Sequence, residues 1–183
     1  CDLIPNILAS VGKPDLSTTV FGKKIDMPIF LSPTAMQRLY HHEGDKASAR
    51  AAEKFGTFYS MSTMANNTIE EVAAISNGPK LFQLYIHKDQ SITDDLIDRC
   101  RASGFNGMCL TVDTLVAGNR ERDHRTGFTT PPKLTLQSLM SFAMRPEWVF
   151  NYFTHKKFEL SNVKNKTDKG TNISKSVIEY INE

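Results

Sequence analysis

The sequence predicts an α/β fold with a parallel sheet, and three observations carry that expectation. Short apolar runs of strand length, MPIFLS at 27–32, TFYSMS at 57–62, KLFQLYI at 80–86 and GMCLTV at 107–112, recur along the chain. Helical patterns fill the intervals between them. Each run also finishes in polar groups. Strands alternating with helices in this way pair in parallel through right-handed crossovers.

The elements follow in order. After MPIFLS, the stretch EGDKASARAAEKFG spaces Ala47, Ala51 and Phe55 at i, i+4 and i+8, an apolar helix face, and stops at Gly56, suited to the left-handed position after a helix. After TFYSMS, Thr68 and Glu71 stand in capping-box spacing, with Ile69, Val72 and Ala73 on one face of the helix they open. After KLFQLYI, a third helix runs from about Ser91 to Gly104 with Ile92, Leu96 and Cys100 in register.

Two architectures fit such a pattern: a doubly wound sheet or a (β/α)8 barrel. A dinucleotide-binding doubly wound sheet carries a Gly-rich turn after its first strand; here that turn reads SPTAMQRLY, without glycine. A barrel places functional groups at the C-terminal ends of several strands. Ser32 to Ala35, Ser62 with Thr63, Gln83 with Tyr85, and Thr111 with Asp113 occupy those ends. The expected fold is therefore a (β/α)8 barrel, of which this chain supplies the first four units and a long insertion after the fourth strand. A whole barrel takes about 250 residues, and half of one leaves open strand edges. With Cys1 in place of an initiator Met, the expectation is an N-terminal portion of something longer, or a chain closed by a second one.

Composition narrows the function classes. With 22 Lys plus Arg against 20 Asp plus Glu, the net charge of +2 gives no field that recruits nucleic acid. The three cysteines form no metal-ligand pair and indicate a reducing compartment, two of them lying in segments that read as buried helix and strand. The five histidines fit no metal pattern and read as structural or surface groups. No apolar run reaches membrane-spanning length, and the first residues lack the basic start and apolar core of a signal peptide.

Residues 124–171 show no clear strand and are expected to form a long loop or insertion. Its part LTLQSLMSFAMRPEWVFNYFTHKKFEL, 134–160, interleaves aromatics with basic residues, a pattern suited to a membrane interface or to packing on the barrel. The polar SNVKNKTDKGTNISKS reads as flexible, and 172–183 as the start of another element.

The blocks SPTAMQRLYHHEGDKASARAAEKFGT, SMSTMANNTIEEVA, FQLYIHKD and LTVDTLVAGNRERDHRTGFTTPPKLTL, in this order, resemble the FMN-dependent α-hydroxy acid oxidases and dehydrogenases. The resemblance runs from about Leu16 to Val163. Its GNRERD, GFTTPPKLTL and RPEW pieces look most like the bacterial membrane-associated lactate and mandelate dehydrogenases. It implies FMN as cofactor, with the backbone of Pro33, Thr34 and Ala35 along the flavin ring and Ser62, Gln83 and Thr111 at its polar pyrimidine edge. It makes Tyr85 a contact of the substrate hydroxyl, Asp113 the partner of a catalytic histidine, and Arg120 the ligand of the substrate carboxylate. Residues 1–123 then form the N-terminal half of an FMN-binding barrel.

The family's catalytic histidine, flavin-side lysine, second arginine and phosphate loop belong to later strands. A substrate-contacting tyrosine normally precedes the first strand, and Met64 stands where some oxidases have an aromatic. The resemblance implies oxidation of a small L-2-hydroxy acid, lactate foremost, with electrons passed to a quinone, a cytochrome or oxygen, and this chain alone inactive. It also implies a homo-oligomer at full length, in the cytoplasm or on the inner face of a membrane, or in a mitochondrion or peroxisome if eukaryotic. Taken singly, each residue has an ordinary reading: a capping Ser or Thr, a core Tyr, a solvated charge run at Arg120 to Asp123. Two other classes stay open, a different phosphate- or FMN-binding barrel enzyme and a non-catalytic peripheral membrane module.

Overall fold

A computed structural model of the chain describes residues 12–87, 89–113, 119, 121–126, 135–156 and 159–163. It begins with an antiparallel hairpin that the pattern of apolar runs did not announce, β1 (Thr18–Val20) and β2 (Lys23–Ile25). Phe21 and Gly22 turn the chain at φ 48° and 70°, the positive pair that matches a two-residue turn to strand twist. Ile25 of this hairpin is buried with Phe58 and Leu81, and the Phe21 and Phe58 rings meet edge to face at 6.1 Å. Phe58, Leu81 and Gly107 lie at the beginnings of the three strands described next, so the hairpin closes their N-terminal ends.

Those strands, β3 (Tyr59–Ser62), β4 (Lys80–Leu84) and β5 (Gly107–Leu110), form a parallel sheet in chain order, in the expected βαβ arrangement. The expected strand at 27–32 shrinks to a single bridge. Leu31 pairs with Tyr59, its N–H donating to Phe58 O at 3.0 Å and its carbonyl accepting from Ser60 N at 3.1 Å. Pro28 and Pro33 lack the N–H that a longer ladder needs.

The helices α1 (Asp45–Lys54), α2 (Ile69–Ile75) and α3 (Gln90–Ala102) cover one face of the sheet. Tyr59 and Met61 of β3 and Phe82 and Leu84 of β4 point into that layer, where they meet Ile69 and Val72 of α2 and Ile92, Leu96 and Cys100 of α3. The alternate residues, Ser60, Ser62, Leu81 and Gln83, therefore face the other way. The expected capping box of α2 forms, Glu71 N donating to Thr68 Oγ1 at 3.0 Å and Thr68 N to Glu71 Oε2 at 3.2 Å. Gly56 takes φ +61° after α1.

The inward face of α1 differs from the expected one. Asp45, Ala49 and Ala52 are buried, whereas Ala51 and Phe55 are exposed. The reason is an anchor of non-local partners. The Asp45 carboxylate accepts from Tyr59 OH at 2.8 Å and from the N–H groups of Asn66 and Asn67 at 3.1 and 3.3 Å. That arrangement rotates the helix. Cys109, expected to be buried with its strand, is exposed along with Met108 and Leu110, because among the described residues no strand pairs with the outer edge of β5.

Beyond β5 come α4 (Glu121–Thr126), α5 (Leu136–Ala143) and α6 (Pro146–Thr154). Two helices thus stand where a loop was expected. Thr135 caps α5, and Pro146 opens α6 at a position where no N–H is needed. Glu159–Val163 then returns to the main body. Asn162 accepts from Ile69 N at 3.0 Å and donates to Asn67 O at 3.0 Å, while Asn66 Nδ2 donates to Glu159 O at 2.8 Å.

Candidate functional site

At the C-terminal ends of β3, β4 and β5, on the face away from the helices, polar side chains meet across neighbouring strands. The register pairs Ser62 with Gln83 and Gln83 with Cys109, so Thr111, two residues past Cys109, leans to the same face. Gln83 is the hub. Its Nε2 donates to Thr111 Oγ1 at 2.7 Å, and its Oε1 accepts from Ser62 Oγ at 3.3 Å and Thr63 N at 3.4 Å.

These partners fix the amide's orientation: the carbonyl points to β3 and the amino group to β5. Ser62 is fixed too, since its Oγ accepts from Met64 N at 3.2 Å while donating to Gln83. Among the described residues two donors stay outside this network, the second N–H of Gln83 and the hydroxyl hydrogen of Thr111. They sit side by side.

Thr63 holds the frame and was not among the predicted site residues. Its Oγ1 donates to Gln83 O at 2.6 Å and accepts from Tyr85 N at 3.1 Å, which ties the end of β4 to the turn after β3. The Ser62-Thr63 pair at a strand end is the signal in the sequence. Tyr85 is half-buried just past β4, on the face of Gln83 by alternation.

The remaining predicted residues are distributed differently. Thr111 is half-buried, and Asp113 lies exposed beyond β5. Arg120 falls outside the described residues. Pro33 and Thr34 are exposed and Ala35 half-buried. Their segment is drawn to the same sheet end by Met36 N donating to Met64 O at 3.2 Å, and Gln37 Nε2 donates to Thr34 O at 3.3 Å. A cleft of about 360 Å³ lined by Ser32, Thr34, Gln37, Ser48 and Tyr59, among others, runs beside it. The structure thus brings Ser62, Gln83 and Thr111 into contact and sets Pro33 to Ala35 beside them, but leaves Asp113 apart.

Behind this site lies a buried polar pair that sequence reasoning missed. Burial raises the Asp45 carboxyl above the ordinary carboxylate range, against the pull of its hydrogen bonds from Tyr59, Asn67 and Asn66. Burial, then the Asp45 charge, likewise raises the Tyr59 phenol. Gln37 links this pair to the cleft, its Nε2 reaching Tyr59 OH at 3.4 Å and its Oε1 accepting from Ser48 Oγ at 2.6 Å.

Comparison with known proteins places this arrangement. The family model of the FMN-dependent dehydrogenases matches residues 1–182. Glycolate oxidase 1 of Zea mays is 46% identical over 134 residues, 73% of this chain and 36% of that protein. L-lactate oxidase of Nostoc sp. is 42% identical over 145 residues, 77% of this chain and 40% of that protein. The crystal structure of the monotopic membrane protein (S)-mandelate dehydrogenase superposes with a TM-score of 0.83 at 28% identity, over 96% of this chain and 47% of that one. The chain therefore spans 36 to 40% of the length of these curated relatives. With a parallel βα core, a polar cluster at its strand ends and a family match over nearly its whole length, the chain belongs to the FMN-dependent dehydrogenases, whose cofactor is FMN.

Proposed function

We propose that this chain forms the first half of a (β/α)8 barrel that binds FMN and oxidises a small L-2-hydroxy acid, with lactate as the first substrate to test. The observation that carries the reading is the Ser62, Gln83 and Thr111 network across three adjacent strand ends. The donor set fits the cofactor. The unused N–H of Gln83 and the hydroxyl of Thr111 are matched to the carbonyl and nitrogen acceptors of a flavin's pyrimidine edge. The flavin supplies the two-electron acceptor that no amino-acid side chain provides.

Around it, Pro33, Thr34 and Ala35 offer a backbone with little side-chain bulk for close approach to the ring. Tyr85 is the proposed donor to the substrate hydroxyl, or to the carbonyl oxygen it becomes, where a phenol stabilises developing negative charge. Arg120 is the proposed carboxylate ligand, a role its planar fork suits. Asp113 is the proposed partner of a histidine from the rest of the barrel, stabilising the imidazolium after proton transfer from the substrate. The electron acceptor is proposed to be a quinone, a cytochrome or oxygen, and the complete protein a homo-oligomer.

Helices α5 and α6 are proposed to lie on a membrane surface. Among the described residues no helix is long and apolar enough to cross a membrane, yet Met140 and Phe153 are 70% and 79% exposed beside Met144 and Phe150. Such exposed apolar side chains favour the interfacial region of a bilayer. A relative in this fold is described as a monotopic membrane protein.

The decisive experiment is visible absorbance of the natural full-length protein, followed by turnover on lactate, glycolate and mandelate. A colourless protein that cannot be reconstituted with FMN refutes the reading. Replacing Met140 and Phe153 by Ser is expected to abolish co-sedimentation with liposomes, and undiminished binding refutes the membrane reading.

A further inference from the structure

On the side of the molecule where α6 meets the Gln37–Leu39 turn there is a cavity of about 760 Å³. Trp148 fastens the two together, its Nε1 donating to Leu39 O at 2.9 Å, and it stacks between Phe142 and Tyr152 at centroid distances of 5.3 and 5.2 Å. The wall is cationic. Arg38, Arg145 and Lys156 line it together with His41, His42 and His155, against one lining carboxylate among the described residues, Glu147.

Two features mark the cavity as more than a basic surface. The Arg38 side chain is only 6% exposed, and its one ion pair among the described residues is Nη2 to Glu71 Oε2 at 4.0 Å. Arg38 Nε and Nη1 are buried without a partner among the described residues, and so is His42 Nδ1. A buried guanidinium lacking acceptors on two nitrogens is costly unless a ligand supplies them.

Glu71 does not provide enough compensation. The same carboxylate also serves Lys156 at 3.3 Å and Lys46 at 3.7 Å and carries the α2 capping box. Burial alone raises its pKa, but hydrogen bonds from Asn67, Thr68 and Lys156 and the charge of Lys46 outweigh that and hold it at about 2. It is a fully committed anion.

The histidine rings lie tilted against one another, His41 against His42 at 4.3 Å and His42 against His155 at 4.1 Å. Burial, followed by the His155 and His41 charges, keeps His42 below the ordinary histidine range. The charges of Glu43 and Glu147 act the other way without overcoming this.

We propose that this cavity binds a phosphate-type oxyanion, with Arg38 as its buried ligand and Arg145, Lys156 and the histidine cluster closing around the charge. A planar guanidinium presents parallel N–H groups that match two oxygens of such an anion, and an ammonium adds a point charge. Two sources share this chemistry, a soluble phosphate and the headgroup of an acidic phospholipid. The apolar side chains of α5 and α6 flank the cavity, so a headgroup seated there would leave its acyl chains beside them. None of these residues belongs to the Ser62, Gln83 and Thr111 network, so the site stands apart from the flavin reading. Only its lipid arm rests on the membrane reading.

The test uses the natural full-length protein, calorimetric titration with inorganic phosphate, and co-sedimentation with vesicles of phosphatidylglycerol in phosphatidylcholine against phosphatidylcholine alone. Phosphate is expected to bind saturably, about tenfold or more weakly in Arg38→Met and about threefold more weakly in Lys156→Gln, whose side chain is half exposed. Vesicle binding that is lost in Arg38→Met and competed by phosphate identifies the headgroup as the source. Vesicle binding indifferent to the substitution, alongside phosphate binding that depends on it, identifies a soluble phosphate. Absence of both Arg38-dependent effects overturns the proposal. So does a marked fall in melting temperature of Arg38→Met without phosphate, which makes Arg38 a structural partner of Glu71. If that variant does not fold, unchanged phosphate affinity in Lys156→Gln overturns it as well.

Discussion

Gln83→Leu separates a built cofactor edge from an ordinary strand end. The substitution keeps the volume but removes the amide that accepts from Ser62 Oγ at 3.3 Å and Thr63 N at 3.4 Å and donates to Thr111 Oγ1 at 2.7 Å. Each such bond contributes about 0.5–1.5 kcal/mol net, the two long ones at the low end, for a loss of about 2–3 kcal/mol. At about 2–4 °C per kcal/mol for a chain of this size, the melting temperature falls by about 4–12 °C. Thr111→Val removes only the shortest of the three and costs about 1 kcal/mol, so the double variant is expected to show a coupling energy of about that size. In the natural full-length protein Gln83→Leu also takes away the N–H proposed to face the flavin, and FMN is expected to bind about 10- to 100-fold more weakly. Thermal melts and titration of FMN fluorescence measure the two effects. FMN affinity within about twofold of wild type, or a Gln83→Leu melt that coincides with wild type, refutes the assignment of Gln83 as hub.

Other residues give independent checks. Asn162→Ala leaves Ile69 N and Asn67 O without their partner, an expected loss of about 2–3 kcal/mol in chemical denaturation. Asp45→Ala removes the acceptor of Tyr59 OH and of two backbone N–H groups; a loss of about 3 kcal/mol is expected, and Phe replacing Tyr59 should recover part of it. The hydrogen bond from Arg99, with its charge, holds Glu70 at about 2 instead of 4.5. A depressed carboxylate contributes stability above its unfolded value that is lost as pH falls from about 4.5 towards 2. Denaturation midpoints across that range should therefore flatten in Glu70→Gln.

The parts of this fold readable in sequence are those fixed by local chemistry. The β3 and β4 runs are buried on both faces, as a covered parallel sheet requires, and their apolar composition announced them. The Thr68 and Glu71 box and the positive φ of Gly56 are decided within a few residues. The misread elements depend on distant partners. Four alanines in α1 give no contrast between faces, and the choice falls to Asp45, whose acceptors' partners lie at Tyr59, Asn66 and Asn67. The hairpin is hidden because Phe21 occupies a left-handed position that usually belongs to glycine or asparagine. β5 is as apolar as its neighbours, yet burial is a property of what lies alongside, and its outer edge is bare among the described residues.

The site was legible by a different route. The resemblance implied that Ser62, Gln83 and Thr111 share one edge, and in the structure parallel register puts Ser62 beside Gln83 and Gln83 beside the strand of Thr111, with alternation turning them to one face. Thr63 was legible as a polar group at a strand end, but its bonds to main-chain atoms, the carbonyl of Gln83 and the N–H of Tyr85, were not, because parity does not reveal them.

The direction of the Gln83 amide connects these findings to chemistry. Were the amide turned over, its amino group would face Thr63 N, a donor that keeps its main acceptor in Gln83 O at 3.0 Å, and the buried Ser62 hydroxyl would lose the acceptor it now has in Gln83 Oε1. The observed orientation avoids that loss of about 1–3 kcal/mol. It also leaves donors, not acceptors, at the strand ends of β4 and β5. An edge of donors selects a ligand rich in carbonyl oxygens and ring nitrogens. It also favours extra negative charge on that ligand, since each donor then makes a charge-assisted bond. On the proposed reading, the network would stabilise an electron-rich form of a bound ring over its electron-poor form. Replacing Thr111 by Val, which keeps the shape and removes one of the two donors, should therefore lower the midpoint potential of bound FMN in the natural full-length protein, and an unchanged potential would separate Thr111 from the cofactor.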